Sequence, residues 1–206
     1  MILTHGSNSV GSGGGGNVIG GREYKVVTMP DGHVWLAENL DYKFQGCGIG
    51  GAFNVTTPNA WYYGNDEASY GIDGTYKCGL LYNWYAVDYL NTNRETLCPG
   101  WHVPSSTEWA NLINITGGTS SGKLKAVRES WFSSSWNGTD DYGLRVIPAG
   151  QASENQFQGI GSNGPIWTST PSGSSAYREL FEPSTIGLNY SISKIRGHSV
   201  RLIKDY

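Results

Sequence analysis

The chain has 206 residues, a net charge of −3 and only 15% charged residues. It is long enough for one sizeable core and carries no basic field to hold a phosphate backbone, which argues against nucleic-acid partners. Aromatics reach 13%, with 8 Trp and 13 Tyr, which argues for a packed interior over disorder, and no run approaches the roughly 18 apolar residues of a membrane-spanning helix, so no membrane insertion is expected.

Met1–Ser7 lacks the basic region and apolar core of a secretory leader. Either lysis or assembly carries the protein out of the cell, or a leader has been removed. Residues 6–21 (GSNSVGSGGGGNVIGG) form a Gly/Ser/Asn tract that cannot bury enough surface to order itself. We therefore read 1–22 as a tail, flexible or packed on a partner chain, with homo-oligomerisation through it as one option, and 23–206 as a single domain. Tyr24–Val27 and His33–Leu36 read as short strands around the turn Pro30-Asp31-Gly32. Residues 43–77 show no sustained period and read as long loops. Cys47, Cys78 and Cys98 are an odd count without a CxxC pair, which argues against a structural zinc. Outside the cell, one disulfide and a spare thiol are compatible with them, with the pairing unread.

Two helices follow. Leu80, Leu81, Trp84, Tyr85 and Val87 fit a 3.6-residue stripe over about 79–90. Ser105 and Glu108 have the spacing of a capping box opening a second helix, with Trp109, Leu112 and Ile113 as its buried face and Gly117-Gly118 as its end. Beyond it, 144–147, 166–169, 176–180, 185–188 and 199–203 read as strands. Strands outside, two helices in the middle and long loops make an α+β domain with small antiparallel sheets.

Motifs with chemical meaning are few. Gly117–Leu124 (GGTSSGKL) is one residue short of a phosphate-binding loop, since Leu124 replaces the magnesium-binding hydroxyl and the segment follows a helix instead of a strand. Gly46–Gly51 and Gly159–Gly164 match GxGxxG but open no helix, so both read as loops. His5, His33, His102 and His198 lie far apart, outside any metalloprotease or triad pattern. Trp136–Asp141 and Glu182-Pro183-Ser184 weakly echo lectin calcium triplets, in reversed order and each with one residue changed. No metal or other cofactor is expected. The segment 172–198 mixes Tyr, Arg, Ser, Asn and Phe without a clear core period, which is compatible with a recognition surface or with an ordinary hairpin.

Seven blocks occur in order: HVWLAENLDY (33–42), GLLYNWYAV (79–87), LCPGWHVPSSTEW (97–109), GKLK (122–125), VIPAG (146–150), IWTST (166–170) and GHSVRLIKD (197–205). Together they resemble the Fibrobacter succinogenes major paralogous domain family over about residues 23–206. The resemblance implies a C-type-lectin-like fold, in which the first and last strands pair, two helices flank them and a long loop region carries binding. It also implies a surface or secreted setting with no catalytic role. A subset with phage relatives resembles variable proteins diversified by retroelements on a fixed scaffold. On that resemblance Trp167, Ser169, Ala176, Leu180 and Ser199–Leu202 are scaffold. Tyr177, Arg178, Glu179, Phe181, Glu182, Ser184, Asn189, Tyr190, Ser191, Lys194 and Arg196 are the contact candidates. His198 joins them, standing where Phe is usual.

The expected function is a non-enzymatic module binding a cell-surface protein or glycan through this C-terminal surface, on a cell surface or phage particle. A carbohydrate-binding or adhesion protein of fixed specificity is the alternative. An enzyme of the related formylglycine-generating type would need a late pair of cysteines, and all three here precede residue 99.

Overall fold

The computed structural model describes residues 16–67 and 78–206. Residues 1–15, with most of the expected tail and the Met1–Ser7 segment, and 68–77, in the expected loop region, lie outside it. In chain order the elements are β1 (Val18–Ile19), β2 (Arg22–Glu23), β3 (Val26–Thr28), β4 (Val34–Leu36), β5 (Gly48–Ile49), β6 (Asn59–Trp61), β7 (Leu81–Tyr82), α1 (Trp84–Thr92), α2 (Arg94–Leu97), β8 (Trp101–His102) and α3 (Ser106–Ile115). Then come β9 (Ala149–Ala152), β10 (Phe157–Ile160), β11 (Gly164–Ser172), β12 (Ser175–Phe181), β13 (Ile186–Ser193) and β14 (Ile203–Lys204). The architecture is α+β, built mostly from small antiparallel sheets.

The central sheet has the order β3-β4-β14-β8, so the chain's last strand sits between two early ones. Its side chains alternate between two cores. Val34, Leu36, Trp101 and Leu202 face one, with Ala86, Val87 and Leu90 of α1. Trp35 and Ile203 face the other, with Trp109, Leu112 and Ile113 of α3. Such a sheet is covered on both sides, and its strands read as continuous apolar runs instead of alternation. The Trp35 and Trp109 rings lie 4.7 Å apart.

α3 forms as its capping box predicts. Glu108 N–H donates to Ser105 Oγ at 3.2 Å, and Ser105 N–H donates to Glu108 Oε2 at 2.7 Å. Gly118, at φ 77°, closes the helix by donating its N–H to the Ile113 carbonyl. α1 starts later than the apolar stripe suggests. Leu81 and Tyr82 belong to β7, and Asn83 caps the helix by accepting from Ala86 N–H at 2.9 Å. Gly79 lies at φ 77° with its Cα against Asn39, where a Cβ would sit 2.7 Å from the Asn39 Cβ.

Other expectations shift. Residues 144–147 and 199–202 form no strand, making only the isolated bridges Lys125–Val146 and Ile166–Ser199. At the N-terminus, Val18–Ile19 pairs with Arg22–Glu23, and Ile19 is buried in the first core. The folded unit therefore takes in the end of the tract read as a tail. No disulfide joins Cys47, Cys78 and Cys98.

Arg201 ties the closing segment to the rest. It is fully buried, yet among the described residues no carboxylate pairs with it. Its guanidinium donates to Asn39 Oδ1 (2.7 Å) and to the carbonyls of Leu36 (2.9 Å), Leu144 (2.6 Å) and Arg145 (3.0 Å). Asn39 in turn donates to Ser199 Oγ at 3.1 Å, while Leu36 and Leu40 N–H groups donate to the carbonyls of Leu202 and Val200. Segments 36–40 and 199–202 are thus held by side-chain anchors as well as backbone bonds.

Candidate functional site

The three-stranded sheet β11-β12-β13 stands apart from the central sheet and carries most of the contact candidates. Pro165 and Pro171 fit β11 because it is an edge, where a missing N–H costs no ladder bond. The register sets Trp167 opposite Arg178 and Arg178 opposite Tyr190, so these three share one face. Ala176 and Ile192 lie on that face too and pack on the first core. The opposite face carries Ile166, Phe181 and Ile186, packed on the second core beneath α3, where the Phe181 ring meets Trp109 at 5.8 Å.

This alternation divides the candidates. Asn189, Tyr190, Ser191 and Ser184 are exposed, Tyr190 by 49%. Tyr177, Arg178, Glu182, Lys194 and Arg196 are half-buried. Glu179, Phe181 and His198 are fully buried and cannot form part of a contact surface, because their side chains fill the interior. Tyr177 and Tyr190 point to opposite faces of the sheet. Of the scaffold residues, Trp167, Ala176 and Ser199–Leu202 are buried, whereas Ser169 and Leu180 are half-buried.

Glu179 has a structural task. Pairing slips between Arg178 and Leu180, and Asn189 takes the left-handed φ of 55°. Asn189 N–H, left without a ladder partner by this bulge, donates to Glu179 Oε2 at 3.1 Å. Burial pushes the Glu179 carboxyl up to about 7, although the Asn189 bond opposes this.

The other buried candidate, His198, lies 4.4 Å from the Trp167 ring, with neither ring nitrogen hydrogen-bonded. Burial first, then the charges of Arg178 and Arg196, hold it well below the ordinary imidazole range. It is neutral at physiological pH. Arg178 donates from Nη1 to Gln151 Oε1 at 2.9 Å, while Arg196 Nη2 lies 3.7 Å from Glu154 Oε1. β9 brings these partners in, because Ala152 and Gly197 exchange backbone bonds. Burial, then Arg196, lowers the Arg178 guanidinium to about 10. At the sheet's end Lys194 Nζ sits 4.4 Å over the Trp84 ring.

Elsewhere the chemistry is structural. The near-miss phosphate loop is a turn after α3 beside an open hollow of about 420 Å³ lined by Gly117, Ser120, Ser121, Gly122, Lys123 and Thr139. Asp140, at φ 53°, accepts from Arg145 N–H at 2.8 Å and so shapes a turn. Among the described residues, no group of three or more His, Cys, Asp or Glu is placed to hold a metal, and no helix is long and apolar enough to cross a membrane. His102, which fits no metal or triad pattern in the sequence, bridges Asp205 (2.5 Å) and Glu108 (2.9 Å). Its partners lie 103 and 6 residues away, beyond the reach of local pattern.

The family model described as the Fibrobacter succinogenes major domain matches residues 31–204. The chain belongs to the Fibrobacter succinogenes major domain family. The matched span runs from the Asp31 turn to β14, so the family domain contains most of both cores and the C-terminal sheet. No curated protein and no solved structure matches the chain. The family blocks fall largely on framework: Leu36–Leu40 bonds to Val200–Leu202, Asn83 caps α1, and His102–Glu108 carries the His102 bridge and the α3 cap.

Proposed function

We propose that this protein is a non-enzymatic binding module with a C-type-lectin-like fold, which recognises a cell-surface protein or glycan through the outer part of its C-terminal sheet. The row Asn189-Tyr190-Ser191 carries the reading. It is an exposed aromatic flanked by small polar residues, on an eight-residue strand backed by a buried scaffold. A rigid aromatic anchor ringed by adaptable polar groups is the usual make-up of a recognition surface. Thiol chemistry is disfavoured by the cysteines themselves, since burial pushes Cys47 and Cys98 up to about 12, opposite to what a nucleophilic thiolate needs. The setting we infer is a cell surface or a phage particle.

An array of surface glycans together with intact bacterial cells tests the reading. Tyr190→Ala should abolish capture while leaving the melting temperature nearly unchanged, and unaltered capture would defeat it. Sequencing the locus across one lineage separates a diversified segment from a fixed one. If the segment is diversified, variation should fall on 182, 184 and 189–191 and spare the buried 179, 181 and 198. An invariant segment favours a carbohydrate-binding or adhesion protein of fixed specificity.

A further inference from the structure

Beside the face shared by Trp167, Arg178 and Tyr190 lies a pair of loosely compensated positive charges. Arg178 and Arg196 are both half-buried. Among the described residues Arg178 is hydrogen-bonded to a neutral amide, Gln151, with the Glu182 carboxylate acting on it through space, and Arg196 has a loose ion pair with Glu154, at 3.7 Å and 65% exposed. The Nε–H groups of both arginines are buried without an acceptor. The fully buried His198 has two further unpartnered nitrogens. A buried donor without an acceptor carries its full desolvation cost, and guanidinium has the fork geometry that matches a carboxylate. The arrangement leaves two buried guanidinium donors without an acceptor.

The surroundings narrow its class. Tyr190, directly opposite Arg178, packs the edge of its ring against Gly187, where a Cβ would come within 2.0 Å of it. Any side chain at 187 would lift that ring off the backbone. An exposed aromatic beside a guanidinium suits a sugar ring, whose C–H face can stack on it while its carboxylate meets the charge. An acidic peptide would use the charge and leave this platform without a task.

We propose that Arg178 and Arg196, with the Tyr190 ring beside them, bind the carboxylate of a uronic-acid residue in an acidic polysaccharide. This rests on the reading of the C-terminal sheet as the binding surface and assigns it a ligand class. Glu154 then acts as a loose internal competitor for Arg196.

The test is retention of the full chain on immobilised polygalacturonate, on the same polymer with its carboxyls reduced to alcohols, and on poly-glutamate. The expected result is retention on polygalacturonate that weakens with salt and falls at least about tenfold on the reduced polymer, as loss of a charge-assisted hydrogen bond implies. Arg196→Gln and Arg178→Gln should each lower it by a similar factor, and Glu154→Gln should raise it. Arg196, nearer the surface, remains informative if the Arg178 variant melts early. Equal retention on the reduced polymer, dependent on Tyr190, overturns the carboxylate assignment and leaves the binding surface standing. Retention that ignores Tyr190 and both arginines but falls with Lys123→Gln overturns both. Equal or stronger retention on poly-glutamate, or none on polygalacturonate, overturns the uronate proposal, and the array with Tyr190→Ala still decides the surface by itself.

Discussion

Arg201 shows how much one side chain can carry. Its four acceptors are Asn39 Oδ1 and three backbone carbonyls from segments far apart in sequence. Replacement by leucine fills the space but strips the donors, and each buried acceptor left unmet costs about 1–3 kcal/mol. We expect Arg201→Leu to lose at least about 4 kcal/mol, a large part of the stability of an ordinary domain. Urea denaturation measures this, and a loss below about 1 kcal/mol would mean that water or a shifted backbone serves those carbonyls. His102 makes a different statement, about pH. Its hydrogen bond to Glu108, and then that to Asp205, raise the imidazole above 6.5 against the opposing effect of burial. Burial also raises Glu108, but the bonds from His102 and Ser105 outweigh it and hold this carboxyl down at about 2. The His102 contribution is full below pH 6.5 and fades as pH climbs through the raised value. The Glu108 contribution is full above pH 4.5 and fades as pH falls toward 2. Between pH 6 and 9, wild-type stability should therefore decline more steeply than that of His102→Gln, and parallel curves would refute the assignment.

At the scale of elements, the capping box of α3 is legible because all of its partners lie within four residues, whereas the start of α1 is not. Leu80 and Leu81 fit a helical stripe and a buried strand equally well over so short a window. The decision falls to Asn83, whose side chain caps α1 and also donates to the Thr57 carbonyl at 2.8 Å. β9, with the sequence AGQA, has no apolar alternation to announce it and is set by its pairing with β10. The bulge in β13 is equally silent in sequence, because Glu179 reads as an outward polar residue until the slip in pairing is known. Its carboxyl is raised to about 7, so wild type bears a growing cost as pH rises from 4.5 through 7. Glu179→Gln keeps an oxygen for Asn189 N–H and removes the charge. The stability difference, variant minus wild type, should grow between pH 5 and 8, and a constant difference would show that the carboxylate is solvated. The bulge also bends the exposed edge strand, which blunts it as a template for pairing with other chains.

At the scale of the whole molecule, the order of the blocks along the chain says little about which of them touch. Segments 36–40 and 199–202 are bound together across some 160 residues, and β14 lies between β4 and β8. Contacts of such sequence separation leave no periodic trace; only a resemblance covering most of the chain could suggest that an early strand and the last one meet, as β4 and β14 do. The two apolar cores share the central sheet, with Leu202 facing one and Ile203 the other. They should therefore melt together. Trp84, Trp101 and Trp167 report on the first core, and Trp35, Trp109 and Trp136 on the second. Deleting 203–206 removes β14, and with it the strand that joins β4 to β8. We expect the full chain to unfold in urea in one transition, with tryptophan fluorescence, near-UV and far-UV circular dichroism coinciding, and the shortened chain to lose its near-UV signal altogether. If the deletion spared half of that signal, or if the three probes gave separate midpoints, the cores would be independent units and the central sheet a mere boundary between them.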